Sequence, residues 1–178
     1  QWPCLAEDMA DTPLLFAARH GDIDSALLLL RAGADVNDRA PTGASALVVA
    51  AHSGHGAFAA TLLDEGADPN TAGAGYTALH SAILRGDRTL VEQLLRHGAD
   101  PNTRLENGTP IRRASQDWAL NPSLMSATPF WLAAYYRDPP IMRALVAAGA
   151  DPRLTTLEFW RTVVERAGGV CPPHIAGG

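Results

Sequence analysis

The pentapeptide Gly98-Ala-Asp-Pro-Asn102 decides how the rest of the sequence is interpreted. Closely similar text occurs at Gly33-Ala-Asp-Val-Asn37 and Gly66-Ala-Asp-Pro-Asn70, and Gly149-Ala-Asp-Pro-Arg153 departs only in its last residue. The steps between the four glycines are 33, 32 and 51 residues. A repeated period of about 20 to 50 residues indicates an array of similar structural units. The sequence therefore predicts a chain built from repeated units.

Each pentapeptide closes a segment with the same internal pattern. A Thr or Ser opens the segment as a favoured N-cap, and Pro or Ala follows at the first helical position. A second apolar stretch with a Leu-Leu or Leu-Val pair then ends at the pentapeptide glycine, a typical helix terminator. The pattern predicts two short helices per unit, joined by a tight turn at Gly21, Gly54, Gly86 and, in the fourth unit, Arg137. The opening segments are Thr12-Pro-Leu-Leu-Phe-Ala-Ala18, Ser45-Ala-Leu-Val-Val-Ala-Ala51, Thr77-Ala-Leu-His-Ser-Ala-Ile83 and Thr128-Pro-Phe-Trp-Leu-Ala-Ala134.

This combination resembles the ankyrin repeat, whose first helix carries Thr-Pro-Leu-His-x-Ala and whose loop reads Gly-Ala-Asp-x-Asn. Thr77-Ala-Leu-His80 matches the histidine position, whereas Leu15, Val48 and Trp131 replace the histidine in the other units. The resemblance covers residues 12 to 153 and implies an all-α solenoid of stacked helix-turn-helix units with finger loops. It also implies a structural role for His80. One repeat alone leaves its apolar face exposed, so stability comes from stacked neighbours.

We expect a single ankyrin-repeat domain over residues 1–178. Its predicted parts are an N-terminal cap at 1–11, repeat 1 at 12–44, repeat 2 at 45–76, repeat 3 at 77–103, an inserted finger at 104–127, repeat 4 at 128–155, and a C-terminal helix and tail at 156–178. The last helix is interpreted either as a cap or as a diverged fifth unit. Because four stacked units separate Cys4 from Cys171, these cysteines are not expected to form a disulfide.

The long step before the fourth pentapeptide exceeds the 33-residue step by 18 residues. Thr109-Pro110 imitates the start of a unit, but Asn121-Pro122 follows before a second helix can form. Residues 104–127 are therefore interpreted as an enlarged finger, a feature also typical of some bacterial ankyrin-repeat proteins. Two hypotheses remain for this insert: it binds a partner, or its apolar residues hold it against repeat 4 beside Trp131. The candidate binding residues are Arg112, Arg113, Asp117 and Trp118, and the candidate anchoring residues are Trp118, Leu124 and Met125.

Composition excludes several classes of protein. Apolar residues make up 47% of the chain and charged residues 19%, which is typical of a folded domain. A net charge of −5 argues against nucleic-acid binding. No apolar run reaches the roughly 18 residues that would span a bilayer, so no membrane insertion is expected. All 14 basic residues are Arg, which indicates GC-rich codons and a bacterial source. The start at Gln1 leaves open a removed leader or a fragment of a longer protein.

The sequence shows no convergent catalytic constellation. His52 and His55 have a spacing that suits a metal, but no third ligand lies near them in the sequence. No Ser can be matched with a His and Asp pair, and no glycine-rich phosphate loop follows a predicted strand. We therefore predict a non-enzymatic protein with no catalytic residue, no cofactor and no metal site. A pocket beneath the insert, near Arg112, Asp117 and Asp138, is the less favoured alternative.

The resemblance implies that a protein partner binds to the finger loops and to the exposed ends of the first helices. The alternative interpretation is that these residues are merely solvated, and a further alternative is a regulatory segment that contacts another domain of a longer chain. In repeat 4, Tyr135 and Tyr136 end an aromatic-rich helix and are the strongest binding candidates. The remaining candidates are Arg19, His20, His52, Leu84 and Arg85 on the helix ends, with Arg39, Thr42 and Tyr76 on the finger side.

Overall fold

A computed structural model describes residues 11–108 and 124–154. Within these residues the chain forms eight α-helices and no β-strand, apart from an isolated bridge between Arg39 and Ser45. The all-α prediction is therefore confirmed. The helices are α1 (Pro13–His20), α2 (Ile23–Arg31), α3 (Ala46–Ser53), α4 (Gly56–Asp64), α5 (Ala78–Arg85), α6 (Arg88–Arg96), α7 (Pro129–Tyr135) and α8 (Pro139–Ala147). The predicted N-terminal cap apart from Asp11, most of the inserted finger, the C-terminal helix and both cysteines lie outside the described residues.

The first helix of each unit begins at the predicted hydroxyl residue. The side chains of Thr12, Ser45 and Thr128 each accept a hydrogen bond from the backbone N–H three residues further on. These caps satisfy N–H groups that have no partner within the helix. Units 1, 2 and 4 therefore begin their first helices without the histidine of unit 3. The second helices of units 1, 3 and 4 begin at Asp22, Asp87 and Asp138, whose carboxylates cap in the same way.

Residues in the left-handed backbone conformation end both helices of every unit. Arg137, which replaces the turn glycine in unit 4, adopts a φ of 57°, close to the 66° of Gly86. The pentapeptide glycines lie one residue beyond the helix cap, and the N–H groups of the glycine and of the following alanine return to carbonyls in the last turn. This is the Schellman ending, which requires a positive φ and therefore favours glycine.

The units stack so that helices of the same kind lie side by side. Helices α1, α3, α5 and α7 contact one another in that order, and α4, α6 and α8 form a second layer. One continuous apolar core runs between the layers, from Leu14 in the first unit to Leu145 in the last. The small residues Ala18, Ala51 and Ala82 are fully buried in the first layer, which allows neighbouring helices to approach closely.

The leucine pair of each second helix is not buried equally. Leu62, Leu94 and Leu145 are completely buried in units 2 to 4, whereas Leu95 is only partly buried and Val146 is exposed. Leu63, the second member of the pair in unit 2, is also buried, and Leu29 and Leu30 in unit 1 are both only partly buried.

Asparagine side chains connect each unit to the next. The Oδ1 atom of Asn37 accepts the backbone N–H of Asp68 at 2.8 Å, and Asn70 accepts that of Asp100 at 2.7 Å. The Nδ2 group of Asn70 also donates to the carbonyl of Gly98 at 2.9 Å. The pentapeptide is therefore more than a turn: its Asn binds the pentapeptide of the next unit.

None of the helices in the described ranges is long and apolar enough to cross a membrane.

Candidate functional site

A cleft of about 180 Å³ lies between the first two finger loops and helices α1 and α3. Apolar side chains form its walls, and polar side chains form its rim. Its residues are Arg19, Ala40, Thr42, Ala44, Val49, His52, Ser53 and Tyr76. The structure thus brings together candidates from two separate units, although Tyr76 is buried rather than presented to solvent. The cleft has room for one side chain of a partner.

Close contact between the fingers fixes the mouth of this cleft. A Cβ atom added to Gly73 would lie only 2.5 Å from the carbonyl oxygen of Gly43, which is far inside normal contact. The two loops can therefore meet backbone to backbone only because both positions are glycine. Thr42 is exposed beside this contact. The cleft therefore has a preformed rim.

Arg19 is tied into the first unit rather than standing free in solvent. Its guanidinium forms an ion pair with Asp11. Its backbone carbonyl accepts a hydrogen bond from Nε2 of His55 at 3.1 Å, across the junction between units 1 and 2. His20 is exposed, and its Nδ1 donates to the carbonyl of Phe16 at 2.9 Å. Arg19 is therefore held by contacts within the fold, and the exposed ring of His20 is held against its own helix.

Arg85 forms the corresponding link between units 2 and 3. Its Nε donates to the carbonyl of His52 at 2.8 Å, and the guanidinium lies over Gly54 in the α3–α4 turn. Partial burial lowers the pKa of Arg85 from its usual value.

Leu84 is a correction to the predicted set. Only 5% of its surface is exposed, and it belongs to the continuous core. Its helix, α5, is an interior helix with α3 on one side and α7 on the other, so its last turn is covered. Leu84 is therefore a core residue and not part of the presented surface.

An exposed aromatic cluster ends the row of first helices. The rings of Trp131 and Tyr135 stack with centroids 5.5 Å apart and 13° between their planes. Tyr136 meets Tyr135 edge to face at 5.2 Å. Tyr135 is 58% exposed and Tyr136 37%, and partial burial raises the pKa of Tyr136 from its usual value. The helix ends carrying Arg19, His20, His52, Arg85, Tyr135 and Tyr136, together with Thr42, are called the ridge below.

The base of the inserted finger is closed by ordered backbone contacts. Leu105 N–H donates to the carbonyl of Ala127 at 3.0 Å, and Ser126 N–H donates back to Leu105 at 2.7 Å. Leu105, Leu124 and Ala127 are buried in the core. Leu124 is thus an anchoring residue, as one of the two hypotheses for the insert expects. Its binding candidates Arg112, Arg113, Asp117 and Trp118 lie outside the described residues.

The third finger also packs on the second. The N–H groups of Glu106 and Asn107 both donate to the carbonyl of Gly75, at 2.8 and 3.1 Å. The side chain of Asn107 lies against Gly75 so closely that a Cβ there would overlap it. The insert therefore leaves the stack from a base that is fixed on two sides, by the second finger and by the start of unit 4.

His80 lies in the core and contributes to the fold. Its Nδ1 accepts the backbone N–H of Thr77 at 3.2 Å and lies 2.9 Å from the hydroxyl of Thr77. Complete burial lowers its pKa to about 4, opposed in part by the backbone of Ala127 and of Thr103. The neutral imidazole therefore holds the start of α5 beneath the base of the insert.

Comparison with known families identifies the architecture. A model of three ankyrin-repeat copies matches residues 14–105, and a model of one ankyrin repeat matches residues 126–157. The first match alone covers more than half of the chain. The chain belongs to the ankyrin-repeat family. The ankyrin resemblance of the sequence is therefore confirmed, and ankyrin repeats are a protein–protein interaction module.

One curated relative of this ankyrin array is the E3 ubiquitin-protein ligase XBAT33 of Arabidopsis thaliana. The two are 41% identical over 90 residues, which is 47% of this chain and 18% of the ligase. The chain therefore spans less than a fifth of the length of that relative. The similarity concerns repeats that the two proteins share.

Several features of the ankyrin surface were missed from sequence. The spacing of His52 and His55 argued against a metal site for lack of a third ligand, but it did not reveal the bond from His55 to the carbonyl of Arg19 in the preceding unit. Val49, Ala40 and Ala44 line the cleft but have no distinguishing pattern in the sequence. The bridging role of Asn70 could have been predicted, because Asn recurs at the same position of the first three pentapeptides. Across residues 11–108 and 124–154, no group of three His, Cys, Asp or Glu side chains is placed to hold a metal ion.

Proposed function

We propose that this ankyrin array is a non-enzymatic scaffold that binds another protein through the ridge and the inserted finger. The observation that carries the proposal is the aromatic cluster in which exposed Tyr135 and Tyr136 adjoin the partly buried Trp131. Clustered aromatic residues dominate the energy of protein interfaces. Tyr135 is 58% exposed although it stacks on Trp131, so much of its surface is available to a partner.

The inserted finger extends the same proposed surface. Its base is fixed at Leu105 and Ala127, next to the start of α7 that carries the aromatic cluster. Insertions in solenoids often gather on the binding face. Arg112, Arg113, Asp117 and Trp118 are therefore proposed contacts, together with Arg19, His20, His52 and Arg85 on the ridge.

Affinity capture from the source organism tests this function. The wild-type chain should capture a partner. A Tyr135→Ala, Tyr136→Ala double variant should bind that partner with an affinity lower by about tenfold or more, as expected for hot-spot residues. The matched control is an Arg31→Ala, Glu92→Ala double variant, at exposed positions of the second-helix layer. The partner is then purified and its affinity for all three proteins is measured. Equal affinity for the three proteins would sink the proposal.

A second candidate function is regulation within a longer polypeptide, in which the ridge contacts another domain of the same chain. The relative XBAT33 supports this alternative, because the shared repeats make up only 18% of it. Cross-linking of the native protein from its source, followed by mass spectrometry of ridge peptides, separates the two functions. Links from the ridge within one polypeptide favour regulation, whereas links to a different protein favour the scaffold.

A further inference from the structure

Asn107 is followed by Gly108 at the point where the inserted finger leaves the stack. The backbone N–H of Asn107 donates to the carbonyl of Gly75 at 3.1 Å, and the residue is exposed. Among the residues that the structure describes, neither the side-chain amide of Asn107 nor the N–H of Gly108 makes a hydrogen bond. An exposed asparagine amide is therefore followed by a backbone nitrogen that is also not held by a hydrogen bond.

The asparagines that bridge the units are held differently. The Oδ1 atoms of Asn37, Asn70 and Asn102 each accept a backbone N–H from the following unit, and a residue other than glycine follows each of them. Such an amide must give up at least one hydrogen bond before it can move toward the next backbone nitrogen. Gly108, in contrast, has no Cβ atom to hinder the approach of its nitrogen. Of the asparagines that the structure describes, Asn107 is therefore the one best placed to react with its own backbone.

We infer that Asn107 is a site of spontaneous deamidation at the base of the inserted finger. The backbone nitrogen of Gly108 attacks Cγ of Asn107, and the bond from Cγ to Nδ2 breaks. The proton of the attacking nitrogen passes to the departing amide, which leaves as ammonia. Water then opens the succinimide ring at either of its carbonyls. One opening gives aspartate at position 107, and the other gives isoaspartate, in which the main chain runs through Cβ and Cγ. Water is the only co-reactant, and nothing is oxidised or reduced.

Both products change the base of the insert. Each replaces a neutral amide by a carboxylate, and isoaspartate also lengthens the main chain by one methylene group between Cα of Asn107 and Gly108. The N–H groups of Glu106 and Asn107 that bind the carbonyl of Gly75 lie before this added group. The chain returns to the core only at Leu124. We therefore expect the added length to fall within the insert, and the stack to keep its contacts.

Mass spectrometry of peptides from the intact chain, sampled over time in mildly alkaline buffer, tests the chemical step. Asn107 should convert to a mixture of aspartate and isoaspartate about tenfold faster than the bridging asparagines, because each hydrogen bond that must first break raises the barrier. Gly108→Ala should slow the conversion, since its Cβ hinders the attack. Asn107→Gln should remove it, because the longer side chain forms a succinimide-type ring less readily.

The same chain unfolded in guanidinium chloride is the matched control. There the bridging asparagines lose their hydrogen bonds and should react faster than in the folded chain, whereas Asn107 should react at nearly the same rate in both. Conversion of Asn107 as slow as that of Asn70 in the folded chain would overturn the site. A large increase in the rate at Asn107 on unfolding would overturn it too, because the fold would then protect this amide.

The effect on recognition rests on the proposed function and is tested with the captured partner. Wild-type chain purified in its isoaspartate form should bind the partner more weakly than fresh chain and should keep its midpoint of urea unfolding. Gly108→Ala chain aged in parallel should keep both. Equal affinity of fresh and aged wild-type chain, together with a loss in the Tyr135→Ala, Tyr136→Ala variant, overturns the effect on recognition and leaves partner binding intact. Equal affinity of all these proteins counts against the proposed function, whereas mass spectrometry alone decides the conversion of Asn107.

Discussion

Asn102 binds Asp151 across the inserted finger. The Oδ1 atom of Asn102 accepts the backbone N–H of Asp151 at 2.8 Å, although 49 residues separate them in sequence. The equivalent bond from Asn70 to Asp100 spans only 30 residues and measures 2.7 Å. The extra residues therefore leave the junction between units 3 and 4 unchanged, because they are inserted in the finger loop and not in the pentapeptide.

This relationship predicts the effect of Asn102→Ala. The variant loses the bond to Asp151 and a second bond, from Nδ2 to the carbonyl of Gly149 at 3.2 Å. We expect a loss of about 1–2 kcal/mol in the free energy of unfolding, measured with urea. Arg153→Ala is the comparison, since its ion pair with Asp151 is exposed to solvent and should contribute less. A smaller loss for Asn102→Ala than for Arg153→Ala would contradict the bridging role.

The fourth pentapeptide shows how a single residue ends this series of bonds. Arg153 takes the position of Asn, and its guanidinium returns to Asp151 in the same loop, with Nε 3.1 Å from Oδ1. A following unit would therefore find no Asn amide to bind.

The leucine pair gives a second prediction. Leu94 is completely buried, whereas Leu95 lies at the edge of the core. Leu94→Ala should reduce the free energy of unfolding by about 2–5 kcal/mol, and Leu95→Ala by clearly less. Urea unfolding of both variants is the measurement. Equal losses would show that Leu95 is covered as completely as Leu94.

The sequence predicted the architecture well, because its strongest signals are local. Thr and Ser are favoured N-caps in any helix, and Thr12 and Ser45 both cap one here. Glycine adopts a positive φ without strain, as Gly86 does. Arg137 adopts the same conformation although it is not glycine, so unit 4 has the same turn between its helices as the other units.

The candidate site was harder to predict, because exposure depends on neighbours. Leu84 and Arg85 are adjacent in sequence, yet Leu84 enters the core while Arg85 turns back to His52. Which of the two side chains is covered depends on α3 and α7, which lie on either side of α5, and no local sequence pattern describes their position. The cleft formed by Thr42 and Val49 likewise exists only once two units are stacked.

His80 predicts a pH dependence of stability. Burial lowers its pKa in the folded chain to about 4, against 6.5 when it is exposed. The unfolded chain therefore binds more protons between these values, and stability falls as the pH is lowered from 6.5 toward 4. The full effect is roughly 3 kcal/mol.

The measurement is urea unfolding at several pH values between 7 and 4. His80→Asn keeps a hydrogen-bond acceptor near Thr77 but has no imidazole to protonate, so its stability should depend less on pH across this window. Carboxylates that titrate at the acidic end contribute to both proteins, and the difference between the two curves removes their effect. His20→Asn controls for the loss of an exposed imidazole. Parallel curves for wild type and His80→Asn would show that another group carries the dependence.

The inserted finger gives the last prediction. The backbones of Leu105 and Ala127 close its base by a hydrogen bond, and Leu124 is buried. We therefore expect the core to form without residues 109–123. Replacing residues 110–122 by a short Gly-Ser linker should therefore preserve the helical circular-dichroism signal, since long loops differ little in closure entropy. Leu105→Ala, in contrast, should cost about 2–5 kcal/mol, because it removes a buried side chain from the base itself. If the linker variant lost its helical signal while Leu105→Ala kept its stability, the insert would be structural and its base would not. If the linker variant folds but does not bind the captured partner, the insert is needed for partner binding and not for folding.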